Sequence, residues 1–265
     1  MRPSRPDARP SLANQPRAER HPPGRTSDRS DQKPFTDVRV RRALAMAFDQ
    51  DGMKKVWGFP NTESSYGSLP SINGDFYLPL DKLGDAAQYW KLDPQAAKQL
   101  LAAAGYPNGF ETSLNSSNCC APQFLEDLFA SSMAKAGVKV NISIKEHAAY
   151  QASTSRGQFD GIAGGQVPVF DPSDWFTLTN QTGAVRNIAH LSDATEDDLI
   201  AKQRSELDPK KRLDLVHQLV QYCAGQCYYL VSPQIRTTEA RQPFIKNYSP
   251  RMGYQPGFMV AWLDK

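Results

Sequence analysis

The chain has 265 residues, with 31 lysines and arginines against 28 aspartates and glutamates, and 40% of it is hydrophobic. That is ordinary usage for a soluble chain, long enough for one large domain or two small ones. No apolar run reaches the roughly 18 to 20 residues that cross a bilayer, the longest near the end being Phe258 to Leu263, so a transmembrane helix is excluded.

The positive charge is local. Residues 1–34 carry eight basic and four acidic residues, which leaves the remainder slightly negative. A nucleic-acid surface places its basic residues on a folded face. This segment instead holds seven of the 20 prolines and no Val, Ile, Phe, Trp or Tyr. It cannot bury enough apolar surface to offset the entropy of ordering, so residues 1–34 read as a disordered, basic Pro/Arg-rich tail. It also lacks the apolar stretch of about 7 to 15 residues that a secretory signal needs.

Structure is expected from Phe35 onward. Asp37 is placed to cap a helix with Val40, Leu44, Ala47 and Phe48 on one face, broken at Asp49 to Gly52 and followed by a short helix towards Trp57. Residues 58–91, rich in Gly, Pro, Ser and Asn, read as a long, partly ordered connection. Asp93-Pro94 starts a helix that Gly105 and Pro107 stop. Then come a strand from Glu111 to Asn115, a helix from Pro122 to Ala136, and Val138, Val140, Ile142 and Ile144 alternating with polar residues as in a half-buried strand. A helix from His147 to Arg156 and a strand from Phe159 to Ala163 complete an alternation that predicts an α/β fold with largely parallel pairing. Helices over 193–207 and from Asp208, extended segments at 228–232 and 235–240, and an aromatic, proline-rich stretch over 243–265 close the chain. A stretch of that composition is expected to lie across another structural unit.

Little in this order carries covalent chemistry. Cys119 adjoins Cys120 and Cys223 lies four residues before Cys227; they read as structural or incidental thiols, with a Cys223 to Cys227 bridge in an oxidising compartment as the exception. His21, His147, His190 and His217 sit in no nucleophile, metal or phosphate-loop motif. Gly161, Gly164 and Gly165 lack dinucleotide-binding spacing and suit a close backbone approach to a partner or ligand. Asp171 and Asp174 flank Pro172 as turn formers do. An enzyme is not expected, nor a cofactor or metal.

An ordered set of blocks resembles the family 5 extracellular solute-binding proteins, the peptide, nickel and opine receptors of ABC importers. The blocks are Pro34 to Asp49 (PFTDVRVRRALAMAFD), Leu92 to Phe110 (LDPQAAKQLLAAAGYPNGF), Met133 to Val140 (MAKAGVKV), Arg156 to Asp160 (RGQFD) leading to Asp171-Pro172, Asp208 to Arg212 (DPKKR) and Ala261 to Lys265 (AWLDK). The resemblance implies a periplasmic binding protein-like fold of the second type. The matched region is the C-terminal half of those proteins, most of the second lobe (here 35–232) plus a segment (233–265) returning to a first lobe that is largely missing here. It implies capture of a small-molecule or peptide solute in the periplasm, delivery to the permease subunits of an ABC importer, a monomer, and no nucleic acid. The alternative is a stand-alone cytoplasmic protein-interaction module derived from such a lobe.

In α/β sheets ligands bind beyond the carboxyl ends of the strands, and the resemblance places the cleft there too. The candidate solute contacts are therefore Asn115, Ser116, Asn118, Gln166, Asp174, Trp175, Arg186 and Asn187, the polar groups to orient a solute and Trp175 as a flat apolar wall. Peptide binders of the family place an acid four residues before the proline matching Pro172, to pair with the peptide ammonium. Here that position is Pro168, which weakens a peptide reading.

Overall fold

The computed structural model describes residues 24–57, 62–119, 123–166, 171–235, 242–247 and 262–264. In chain order the elements are β1 (Gly24–Asp28), α1 (Val38–Ala47), α2 (Gln50–Trp57), β2 (Thr62–Glu63), α3 (Pro94–Ala103), β3 (Phe110–Ser117), α4 (Gln123–Lys135), β4 (Val138–Lys145) and α5 (His147–Ser155). They continue with β5 (Ile162–Gln166), α6 (Pro172–Thr179), α7 (Ala194–Ser205), α8 (Pro209–Gln226), β6 (Tyr229–Val231), β7 (Gln234–Ile235), β8 (Ile245–Lys246) and β9 (Trp262–Leu263).

Aspartate side chains set the helix starts. Asp37, Asp93, Asp171, Asp193 and Asp208 each accept hydrogen bonds from first-turn backbone N–H groups, and after Asp93, Asp171 and Asp208 the first helical residue is proline. Proline loses nothing there, because that N–H has no partner inside the helix. Asp171, expected as a turn former beside Pro172, is thus a helix cap.

The main sheet runs β4-β3-β5-β1-β6. β3 lies parallel to β4 from Phe110↔Val138 to Ser117↔Lys145, and parallel to β5 at Leu114↔Ile162 and Asn115↔Ala163. The expected α/β architecture is therefore present, but parallel pairing is confined to β4, β3 and β5, the pairs that β1 makes being antiparallel. Expectation and structure differ by three residues at β5, and Gly161 explains why. It has φ +80°, and a Cβ there would stand 2.5 Å from the Ser113 carbonyl oxygen. The close approach is to β3, so the chain enters the ladder only at Ile162.

β1 corrects the reading of residues 1–34 as a disordered tail. Gly24–Asp28 lies between β5 and β6, antiparallel to both, from Gly24↔Gln166 to Asp28↔Ile162 and from Arg25↔Val231 to Ser27↔Tyr229. The next residues are tied in as well. The Arg29 N–H donates to Gly161 O at 3.0 Å, and the buried Arg29 guanidinium donates to Phe159 O at 3.1 Å and to Asp31 at 2.7 Å. Backbone pairing and one buried arginine hold a stretch that apolar content alone would leave unstructured; residues 1–23 lie outside the described set.

The segment after α2 is also more ordered than a connection. Three short 3-10 segments, Ser71–Phe76, Leu80–Lys82 and Gly84–Trp90, carry it. Leu69, Leu78, Leu83 and Trp90 are buried in the core, with the Trp90 indole N–H on Ala224 O at 3.0 Å. That core joins α1, α3, α4 and α8 to the sheet, with Phe35 edge-on to Phe110 and Phe48 to Phe129. It lies within the compact unit His21–Arg236. Cys223 and Cys227 are buried free thiols, not a bridge, because Cys223 faces Glu196 and Cys227 turns back onto Ala224 O. Cys119 is disulfide-bonded, which corrects its reading as a thiol.

In the second unit, β8 and β9 pair antiparallel, Ile245↔Leu263 and Lys246↔Trp262. Most of the expected extended segment 235–240 falls outside the described residues. No helix among those described is long and apolar enough to cross a membrane.

Candidate functional site

β3, β4 and β5 are parallel, so their carboxyl ends, Ser117, Lys145 and Gln166, reach one edge of the sheet. The steps from β3 to β4 and from β4 to β5 run in opposite directions across the sheet, so right-handed crossovers put α4 and α5 on opposite faces. Successive strand residues point to opposite faces. Ser116 accordingly meets α4, its hydroxyl donating to Glu126 Oε1, while Ser117 meets α5, its Oγ lying 3.0 Å from His147 Nδ1. The same imidazole nitrogen lies 3.1 Å from Cys119 Sγ. The Asn118 N–H donates to Lys145 O at 3.0 Å, which keeps the exit of β3 beside the end of β4.

Two buried polar groups complete this edge. Glu126, in the first turn of α4, is 7% exposed, and Tyr150, in the first turn of α5, is 5% exposed. Burial pushes the Glu126 carboxyl above its ordinary value, with the Ser116 hydrogen bond opposing and the Asp127 charge adding. Burial also raises the Tyr150 phenol, and the Glu126 charge adds to it. Glu126 Oε2 and Tyr150 Oη have no hydrogen-bond partner among the described residues.

The sequence-predicted residues divide in two. Ser116, Asn118 and the backbone of Gln166 stand at the carboxyl edge, Ser116 buried and Asn118 exposed. Asn115 lies one residue deeper, and its amide donates to Asp160 O at 2.8 Å and Ile162 O at 3.3 Å, tying β3 to β5. Asp174 is exposed in the first turn of α6. Trp175 is not the expected wall. The helical register that buries Pro172, Phe176 and Thr179 turns it inward, leaving 1% exposed inside the core.

Arg186 and Asn187 are corrected as well. Their loop borders an open depression of about 320 Å3 with Ser155, Val185 and His190, and Ser155 ends α5 at the opposite, amino edge of the sheet. The Asn187 side chain closes its own loop, donating to Gln181 O and Leu191 O and accepting from the Leu191 N–H. Arg186 is exposed beside it. The side chain of Gln166, and Pro168, lie outside the described residues.

Sequence reasoning missed Glu126, Ser117 and Tyr150, and noted His147 only as near a strand end. A signal for Glu126 exists: it stands three residues before Phe129 and seven before Met133, so it shares their buried stripe on α4. Among the described residues no group of three or more His, Cys, Asp or Glu side chains is placed to hold a metal ion.

The family model for the middle part of bacterial extracellular solute-binding proteins, family 5, matches residues 16–187. Heme-binding protein A of Haemophilus influenzae is 29% identical over 198 residues, 71% of this chain and 35% of that protein. Glutathione-binding protein GsiB of Escherichia coli K12 is 28% identical over 196 residues, 69% of this chain and 36% of that protein. Among solved structures, the periplasmic binding protein DppA of Helicobacter pylori in complex with the peptide STSA superposes with a TM-score of 0.74 at 23% identity, over 93% of this chain and 48% of that one. The chain thus spans about a third of these curated relatives and about half of the solved structure. With more than half of its length inside the family model, the chain belongs to the family 5 bacterial extracellular solute-binding proteins.

Proposed function

We propose that the chain is the second lobe, with a returning C-terminal segment, of a receptor that captures a small solute for an ABC importer. The observation that carries this reading is the gathering at one sheet edge of Ser116, Ser117, Asn118, Glu126, His147 and Tyr150, polar groups on strand ends and first helical turns. Binding is stoichiometric, without covalent chemistry. Ser116, Asn118 and Gln166 contact the solute, and the importer's permease subunits receive it at the membrane. The compartment is the periplasm and the receptor is a monomer.

The lobe spans residues 35–232, with β1 added to it. Residues 233–265 return towards a first lobe. Phe244, Trp262 and Leu263, each 45 to 55% exposed, support this, since a covering partner would bury them. Heme, glutathione and a peptide appear in the names of the relatives. One scaffold carries chemically different solutes, so side chains at the edge choose among them.

Thermal unfolding of the purified chain with a tetrapeptide, glutathione or heme tests this reading. One class is expected to raise the midpoint with concentration, and Asn118→Ala to weaken that binding by roughly five- to tenfold, the worth of one hydrogen bond. No shift with any class at millimolar concentration contradicts it.

A further inference from the structure

At the exit of β3 three contacts fix one imidazole. The Cys119 N–H donates to Ser117 Oγ at 3.3 Å, and Ser117 Oγ lies 3.0 Å from His147 Nδ1. Cys119 Sγ stands 3.1 Å from the same nitrogen, and because Cys119 is disulfide-bonded that sulfur carries no hydrogen. Two placements of the imidazole hydrogen are open. With it on Nδ1, Ser117 Oγ receives two donors and its own O–H has no acceptor among the described residues. With Nδ1 bare, the hydroxyl donates to Nδ1 and is satisfied. The sulfur, a weak acceptor, favours the first placement by less than the half-buried hydroxyl favours the second.

A neutral imidazole with Nδ1 bare carries its hydrogen on Nε2. Both ring contacts are made by Nδ1, so Nε2–H is a donor without a partner among the described residues, on a half-exposed ring. The surroundings select the acceptor. Lys145 pairs with Ser117 in register, so its side chain lies on the same face of the sheet, and it forms no ion pair among the described residues. The adjacent acid, Glu146, is engaged, accepting the Ala149 N–H at 3.1 Å as the cap of α5. A fixed N–H beside an uncommitted ammonium suits an anionic oxygen.

We propose that His147, held by Ser117 with its hydrogen on Nε2, donates to a carboxylate oxygen of the captured solute. This deepens the reading of the chain as a solute-binding lobe and rests on it. His147 makes the contact and Ser117 is a positioning residue. Its hydroxyl matters because a ring free to exchange its hydrogen would turn a lone pair towards the carboxylate part of the time, and lone pair and anion repel.

The test uses the full chain labelled with 15N-histidine at pH 8, where an ordinary imidazole is neutral, the His147 resonances being assigned with His147→Gln. Long-range 1H–15N correlations are expected to show hydrogen on Nε2 alone, and Ser117→Ala to let the Nδ1–H form appear. The probes are propionate, propionamide, which has the same shape without charge, and propylammonium, which has the opposite charge. Propionate should shift His147 Nε2 saturably, propionamide far less and propylammonium not at all. His147→Ala should raise the propionate dissociation constant about tenfold, as loss of a charge-assisted hydrogen bond does, and Ser117→Ala about threefold. His147→Gln, whose amide N–H reaches about as far as Nε2, should recover part of the loss.

The tautomer and the propionate response of the unsubstituted chain stand even where a variant fails to fold. Hydrogen on Nδ1, equal responses to propionate and propionamide, or unchanged affinity in His147→Ala overturns the contact. A solute that raises the unfolding midpoint without moving His147 Nε2 also overturns it, and leaves solute capture standing. Silence from every probe and every solute class counts against both.

Discussion

Glu196 is the most deeply placed acid in the described chain, 1% exposed and pushed up to about 7, chiefly by burial. Asn180 Nδ2 donates to its Oε1 at 2.5 Å and Cys223 Sγ at 3.0 Å, while Oε2 has no partner among the described residues. The folded state therefore holds this proton more tightly than the unfolded state, whose carboxyl titrates near 4.5. Stability from this group is fully present below pH 4.5 and is lost as pH rises towards 7, by roughly 3 kcal/mol across the window. Glu196→Gln keeps both hydrogen bonds and has no proton to release, so its urea midpoint should change less between pH 5 and pH 8. Equal pH dependence in variant and parent would contradict the assignment.

At the same scale, the places of Ser116 and Asn118 at the carboxyl edge were readable, because they follow directly from where a parallel strand ends. Trp175 and Asn187 were not. Whether a tryptophan one turn into a helix faces a cleft or a core depends on what packs against that helix. An asparagine that closes its own loop has the same sequence signature as one that meets a ligand.

Among the elements, the Asp-Pro helix starts at Asp93 and Asp208 and the alternation from Val138 to Ile144 were legible because local hydrogen bonding and period dictate them. β1 was not legible. GRTSD has neither apolar alternation nor β-branched content beyond Thr26, and its place is set by long-range pairing with β5 and β6. This yields a direct test of the boundary. The chain without residues 1–23 sets the reference unfolding midpoint. Removing 1–28 should lower it by several degrees and broaden the transition, because two strands of the sheet lose their partner. Equal midpoints for the two truncations would return 24–28 to the tail.

Asp208→Ala probes a legible element in the same way. The side chain accepts from the N–H groups of Lys210 and Lys211 at the start of α8. Its loss should cost about 1 kcal/mol in urea unfolding, as N-cap removal does. No change would mean that α8 is held by its buried face alone.

For the whole molecule, the chain covers about half of the solved periplasmic binding protein on which it superposes, and the carboxyl edge of its sheet carries polar groups. The receptor reading predicts that an antibody against residues 93–110 detects the native polypeptide in the periplasmic fraction. A band confined to the cytoplasmic fraction would favour an interaction module over import.

The central claim is positional: a solute binds at the carboxyl edge of β3 and β5. Amide chemical-shift mapping of the full chain, with whichever solute raises its unfolding midpoint, tests that claim most directly. The account predicts saturable shifts concentrated at Ser116 to Cys119, Glu126 and Glu146 to Tyr150, with the loop from Gly183 to Leu191 unmoved. Shifts confined to that loop, at the opposite edge of the sheet, would contradict it.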